Sequence, residues 1–179
     1  MNNSIDFFNI DYLQQGNAVQ RNVYAVLKET AVLQLLSAYD PVLAGSIPIA
    51  VDIPGSDLDI LCSFKEKEAF QKEMTVLFGK EAGFSIKAFE IYNQDCVVVN
   101  FDKAGFPFEI FAQHLPVREQ MGYRHMVIEH RLLLEHGERL RQEVIRLKKA
   151  GYKTEPAFCE CLGIGGNPYL ELLQFETKQ

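Results

Sequence analysis

No stretch of the 179-residue sequence approaches the roughly 18 or more apolar residues needed to cross a membrane. The opening MNNSIDFFNIDYLQQ lacks the basic start and long apolar run of a secretory leader. Internal repeats, low-complexity tracts and long linkers are missing as well. Basic charge is in short supply: Lys and Arg total 18 against 24 Asp and Glu, for a net charge of −6 at pH 7. General binding of extended nucleic acid through phosphate neutralisation is therefore not expected. Cysteine is sparse. Cys62 and Cys96 fall in apolar strand-like runs, where a buried thiol is expected, and Cys159-Glu160-Cys161 is too tight and isolated for a zinc site. All four cysteines are read as reduced, in a cytoplasmic protein.

An apolar fraction of 47% supports a substantial core. The length suits one α/β core over residues 1–115 with a helical extension over 116–179 packed on it. Asn17 and Gln20 form an approximate capping box, and Val19, Val23, Val26, Thr30 and Leu33 follow helical spacing, so residues 18–38 read as one amphipathic helix stopped by Asp40-Pro41. A short strand over 42–46 and another over 57–62 follow, and Ser63 with Glu66 predicts a capped helix over about 64–79. From Gly83 the period changes to two. Residues 84–92 and 96–101 read as a hairpin, and a turn at 102–105 leads into a strand over 106–113. After Pro116 the chain becomes helical, with a break at Gly137. Thr154 is expected to cap a short helix that Gly163 closes, and Asn167-Pro168 starts a last one. The order predicts an α+β fold: a mixed sheet flanked by helices, with a C-terminal helical segment.

The most informative stretch is Ala44–Leu61, AGSIPIAVDIPGSDLDIL. Asp57 and Asp59 alternate within an apolar strand, so both carboxylates should share one face. Glu109 sits alone in a second apolar strand, on a face with Phe111 and Gln113. Ionised carboxylates in such settings must be paired or bind a cation. Three of them from two strands can hold divalent metal through oxygen ligands. Upstream, Gly45-Ser46 offers backbone N–H groups and a hydroxyl suited to phosphate. Asp52, between the motifs, reads as a turn residue.

Gly-Ser, about ten residues, Asp-x-Asp on a strand and a later single acid together resemble the nucleotidyltransferase superfamily, the polymerase-β-like fold. The matching residues are Gly45, Ser46, Asp57, Asp59 and Glu109, within residues 17–115. More narrowly, YLQQGNAVQ, GSIPIAVDIPGSDLDIL, FEIFAQHLPVREQMGYRHMVIEHRLL and GYKTEPAF resemble a bacterial family of unassigned function inside that superfamily. The resemblance implies that Asp57, Asp59 and Glu109 are catalytic and ligate Mg²⁺ or Mn²⁺. It further implies that Gly45 and Ser46 bind the β- and γ-phosphates of a nucleoside triphosphate. The product would be a nucleotidylated small-molecule or protein acceptor, with pyrophosphate released. The chain departs from many members in carrying Glu at 109, and Ile47-Pro48-Ile49 stiffens the loop after Gly-Ser.

Arg124 reads either as a polar residue satisfied within the core or as a contact to triphosphate or acceptor, and Lys153 is the candidate to stand over the cleft for phosphate or an anionic acceptor, since both cations suit phosphate oxygens. His125 reads as a polar residue satisfied within the core. Arg139, Arg141, Arg146, Lys148, Lys149 and Lys153, interleaved with Glu138 and Glu143, read as a largely solvated helix face. A nucleotide-binding or regulatory module with weak or no turnover is the alternative to an enzyme. A phosphohydrolase using the same carboxylates would release inorganic phosphate instead.

Overall fold

The computed structural model describes residues 5–176. Residues 1–4 and 177–179, the outer ends of the expected segments 1–115 and 116–179 and the start of the stretch read for a leader, lie outside the described residues.

Helix α1 (Ala18–Thr30) starts at the expected capping box, with the Asn17 side chain accepting from Gln20 N–H at 2.9 Å and the Gln20 side chain accepting from Asn17 N–H at 3.0 Å. The single helix expected over 18–38 is broken. Ala31 takes a left-handed conformation (φ 52°), followed by the short α2 (Val32–Leu35) and a 3₁₀ turn over Ser37–Tyr39. The reason is packing: in a straight helix Val32 would lie roughly 140° round from Leu27. Yet Val32 and Leu36 join Val23, Val26 and Leu27 in one buried cluster, and the kink rotates them into it.

The strands are β1 (Val42–Ala44), β2 (Leu58–Ser63), β3 (Ala82–Ile91), β4 (Gln94–Lys103) and β5 (Phe106–Gln113). They form one sheet in the order β1-β2-β5-β4-β3, with β2 and β5 parallel and every other neighbour antiparallel. Tyr92-Asn93 and Ala104-Gly105 all have positive φ, making two-residue hairpins whose twist matches that of the strands they join. Strand β2 begins one residue later than the alternation suggests: its ladder to β5 starts at Leu58, leaving Asp57 at the end of the preceding loop. It also ends later. Ser63 pairs with Gln113, so it cannot cap the next helix; α3 (Lys67–Phe78) has Glu66 at its cap position, with no side-chain capping bond.

The C-terminal region contains α4 (Met121–Lys149), interrupted at Gly137 (φ 70°, ψ −161°) where the sequence marks a break, then α5 (Thr154–Leu162) and α6 (Pro168–Glu171). Thr154 is the first residue of α5 and not its cap, because the extended Lys153 occupies that position.

Period-two alternation sorts the sheet into two faces. Leu58, Ile60 and Cys62 of β2 join Phe108, Ile110 and Ala112 of β5 in a core shared with α1 and α3. Phe78, Phe101 and Phe108 stack there, with successive centroids 4.5 and 5.0 Å apart. Leu61 and Phe111 face the opposite side, in the cluster built with Met126, Ile128, Leu132, Val144 and Phe158 of the C-terminal helices. Asp59 and Glu109 alternate with the first set, so they belong to the second face. The C-terminal helices therefore cover the same side of the sheet that carries the acids.

Candidate functional site

Asp59 and Glu109 are direct register partners across the parallel pair β2–β5, and Ala44 of β1 partners Asp59 on its other side. Adjacent positions in a ladder hold their side chains side by side on one face. A cleft of about 950 Å³ opens over this point. Gly45, Ser46, Asp57, Asp59, Glu109 and Lys153 all line it. Arg124 does not. Its guanidinium is engaged by Glu176 through two bonds of 2.9 and 2.6 Å, which tie α4 to the C-terminal segment.

Crowded carboxylates resist ionisation. Burial, with Asp57 and Glu109 adding repulsion, pushes Asp59 up to about 8, against the pull of Lys148. Burial and Asp57 raise Glu109 too, while Lys153 opposes the shift. A divalent cation would relieve both groups, and three carboxylates are the hard oxygen donors that Mg²⁺ or Mn²⁺ takes. As placed, the acids share the cleft without forming a closed ligand set: among the described residues, no three His, Cys, Asp or Glu side chains gather tightly enough to hold an ion. Asp57, exposed on the loop, is the freest of the three.

The Gly45–Val51 loop is rigid in a specific way. Gly45 has φ +76°, and a Cβ there would stand 2.0 Å from Asp59 Oδ2, so glycine is required both by the turn and by the carboxylate beside it. Ser46 is buried, and its carbonyl accepts from Val51 N–H at 3.0 Å. Ile47 and Ile49 are inserted into the two separate cores. From one side Gln20 Nε2 donates to the carbonyls of Ile47 (2.9 Å) and Pro48 (3.1 Å). From the other, Arg141 donates to the carbonyls of Ile49 and Ala50. The stiff Ile-Pro-Ile segment is thus the anchored base of the Gly-Ser turn.

The helical wall of the cleft holds residues that the sequence reading left outside the site. His125, Glu129, Lys148 and Glu155 all line it. His125 is buried, as expected, with Nε2 2.8 Å from the Tyr169 carbonyl and Nδ1 3.5 Å from Glu155 Oε1. Burial alone would raise Glu155, but bonding to His125 and to backbone, with the charges of His125 and Lys148, outweighs it and holds this carboxyl below its usual range. Glu129 is pushed the other way, by burial and then by Glu155, despite Lys148. Lys148 is 8% exposed, not solvated, and burial lowers it against the attraction of four acids: Glu129, Asp52, Asp59 and Glu155. A signal was present. Lys148 lies four residues beyond Val144, and Glu129 four beyond His125 and three before Leu132, so both sit on the buried stripes.

Solved structures share this architecture. The polymerase core of TRAMP, an RNA surveillance complex, aligns with a TM-score of 0.54 at 14% identity, over 89% of this chain and 57% of that one. The Cid1 poly(U) polymerase in its MgGTP-bound form aligns at 0.50 and 14%, over 77% and 42%. The GLD-2/RNP-8 complex aligns at 0.50 and 14%, over 85% and 57%. Two of the three are polymerases by name, and this chain spans about half the length of each of the three. At these identities the likeness is one of fold. No curated protein matches the sequence. The family model described as a domain of unknown function, DUF4269, matches residues 25–175, and the chain belongs to that family, on a nucleotidyltransferase fold.

Proposed function

We propose that this protein transfers a nucleoside monophosphate from a nucleoside triphosphate to a hydroxyl of a small-molecule or protein acceptor, with divalent metal, releasing pyrophosphate. The observation that carries the reading is the register partnership of Asp59 and Glu109 beside the Gly45-Ser46 turn, within one cleft. Asp57, Asp59 and Glu109 would hold the metal, their oxygen donors fitting Mg²⁺ or Mn²⁺. When bound, the metal supplies charge neutralisation for the phosphates and activation of the attacking oxygen. Ser46 and the Gly45 backbone hold the β- and γ-phosphates, and Lys153, exposed at the cleft wall, adds a point charge toward them. Glu109 accepts or directs the hydroxyl proton. The acceptor oxygen bonds to the α-phosphorus as the bond to pyrophosphate breaks. Arg124, held by Glu176, has no part in this scheme. The polymerase names of the neighbours, and the MgGTP in one of them, support the class of substrate. The acidic chain favours a compact acceptor over extended nucleic acid.

The test is transfer of α-labelled triphosphates to a library of metabolites and proteins with Mg²⁺ or Mn²⁺. Label on an acceptor with equimolar pyrophosphate, lost in Asp59→Ala, is the expected result. Release of inorganic phosphate without label transfer contradicts it and identifies a phosphohydrolase. Triphosphate binding without turnover leaves a nucleotide-binding module.

A further inference from the structure

Gln113 is a buried amide left half-used at the floor of the cleft. It is 9% exposed, and its Nε2 donates only to the Cys96 thiol at 3.2 Å, a weak acceptor. Its Oε1 accepts from no described residue. The side chain lines the cleft. One acceptor and one N–H of a buried amide therefore remain for a ligand, and buried polar groups are rarely left without partners.

Tyr92 supplies an independent observation. It is 70% exposed at the tip of the β3–β4 hairpin, and it lines the same cleft with Ile91 and Gln94. Its φ is 51°, at the first position of a two-residue turn. Asparagine, aspartate or glycine is favoured there, and a bulky side chain is not. The exposed ring adds nothing to the core, so the disfavoured backbone at the cleft rim points to use by a ligand.

The strand register decides which ligand. On β5, Gln113 lies four residues beyond Glu109; on β4, Gln94 lies six residues along from Asn100, which stands opposite Glu109. At about 3.3 Å per residue these amides are about 13 and 20 Å from the acid pair, on the same face of the sheet. The hairpin tip is thus farther from the acids than a nucleoside extends from its own α-phosphate, which assigns the strip to the acceptor. A compact acceptor seated at Glu109 would reach neither Gln113 nor Tyr92. None of the cleft residues on β5 beyond Glu109, or on the hairpin, is charged. That disfavours a nucleic-acid strand, whose phosphates are held by cations. An extended polypeptide fits: it advances by the same length per residue, and its backbone carries the N–H and C=O that a glutamine amide pairs with.

We propose that this strip docks an extended segment of a protein acceptor. Its side-chain hydroxyl sits at Glu109, a backbone amide about four residues away pairs with Gln113, and an aromatic or branched apolar side chain about six residues away packs on Tyr92 and Ile91. The assignment rests on the nucleotidyltransferase reading and narrows its acceptor to protein. The hydroxyl oxygen bonds to the α-phosphorus as the bond to pyrophosphate breaks, and its proton is taken at Glu109.

The experiment uses positional-scanning heptapeptides with serine, threonine or tyrosine at one end, made in both chain directions. They are incubated with the full chain, Mg²⁺ and α-labelled ATP, GTP, CTP and UTP, beside oligouridylate and free serine. Label should be greatest with phenylalanine, tyrosine or leucine at the far end, at least about tenfold above alanine there. Tyr92→Asn should lose that preference while melting no lower than the wild type, because asparagine suits the turn. Gln113→Ala should lower labelling of every peptide and keep the preference. No labelled peptide, a flat profile at the far position, or a preference retained in Tyr92→Asn overturns the inference. So does labelling of oligouridylate or of free serine at the level of the best peptides. The thermal shift of the wild type with MgATP is read in parallel. A shift without peptide labelling removes only the acceptor assignment, whereas no shift removes the nucleotidyltransferase reading beneath it.

Discussion

Asp59 and Glu109 are held side by side because β2 and β5 run parallel and in register at these two positions. Nothing local to either strand brings them together: fifty residues and two antiparallel strands separate them in the chain. The cost of that neighbourhood is visible in the ionisation of Asp59, and the first prediction concerns pH.

The unfolded chain releases the Asp59 proton near pH 4, whereas burial, Asp57 and Glu109 raise it to about 8 in the fold. Between those values the folded protein keeps a proton that the unfolded chain has lost. Stability in chelator therefore falls as pH rises across this window, by at most about 1.4 kcal/mol per pH unit from this group. Urea unfolding at pH 5 and pH 8 checks it. Asp59→Asn removes the contribution, so the variant should gain on the order of 2 kcal/mol relative to wild type at pH 8 compared with pH 5.

Gly45→Ala should disturb both the turn and the acid. The new methyl would meet Asp59 Oδ2 at 2.0 Å on a backbone with φ +76°. A loss of stability of about 1 kcal/mol or more is expected from the left-handed conformation alone. Metal-dependent triphosphate affinity should fall at least about tenfold, the effect of displacing a liganding carboxylate's supporting geometry. Calorimetric titration with MgATP, alongside urea unfolding, measures the two effects.

Gln20 does two jobs at once, closing the α1 capping box and bonding the carbonyls of Ile47 and Pro48. Gln20→Ala should cost about 2 kcal/mol, the sum expected for a lost cap and buried carbonyls left without donors. Hydrogen exchange followed by mass spectrometry should show faster exchange across residues 46–51, and Arg141→Ala should show the same segment opening from its other side.

Arg124→Ala is the contrasting case. Its partner Glu176 is 42% exposed, and exposed ion pairs contribute about 0–1 kcal/mol. The variant should bind MgATP as the wild type does, with stability reduced by no more than about 1 kcal/mol. A tenfold loss of nucleotide affinity would return Arg124 to the cleft.

Much of this arrangement was legible in the sequence. Period-two runs separated by short turns marked four of the five strands closely, and Asn17 with Gln20 marked the start of α1, because both signals are local. The grouping of Gly45, Ser46, Asp57, Asp59 and Glu109 was legible as a motif, and the cleft gathers all five. What the residues could not reveal depends on the tertiary path. The kink at Ala31 is set by where Val32 and Leu36 must bury. The Ser63 cap failed because β5 extends β2 through that residue. Charge misled most: Arg141 and Lys148 look solvated by type, but their helical phase puts them on the inner face, where carbonyls and carboxylates of distant segments await them.

The most direct measurement is thermal unfolding of wild type and Asp59→Ala during titration with a panel of nucleoside triphosphates, with Mg²⁺, with Mn²⁺ and in chelator. A ligand at about 100 times its Kd stabilises a fold by about 2.7 kcal/mol. The wild type should therefore melt several degrees higher with triphosphate and metal together, and Asp59→Ala, still folded, should not respond. An unshifted wild type across the whole panel, or a full shift in Asp59→Ala, would contradict a metal-dependent nucleotide site at Asp59 and Glu109.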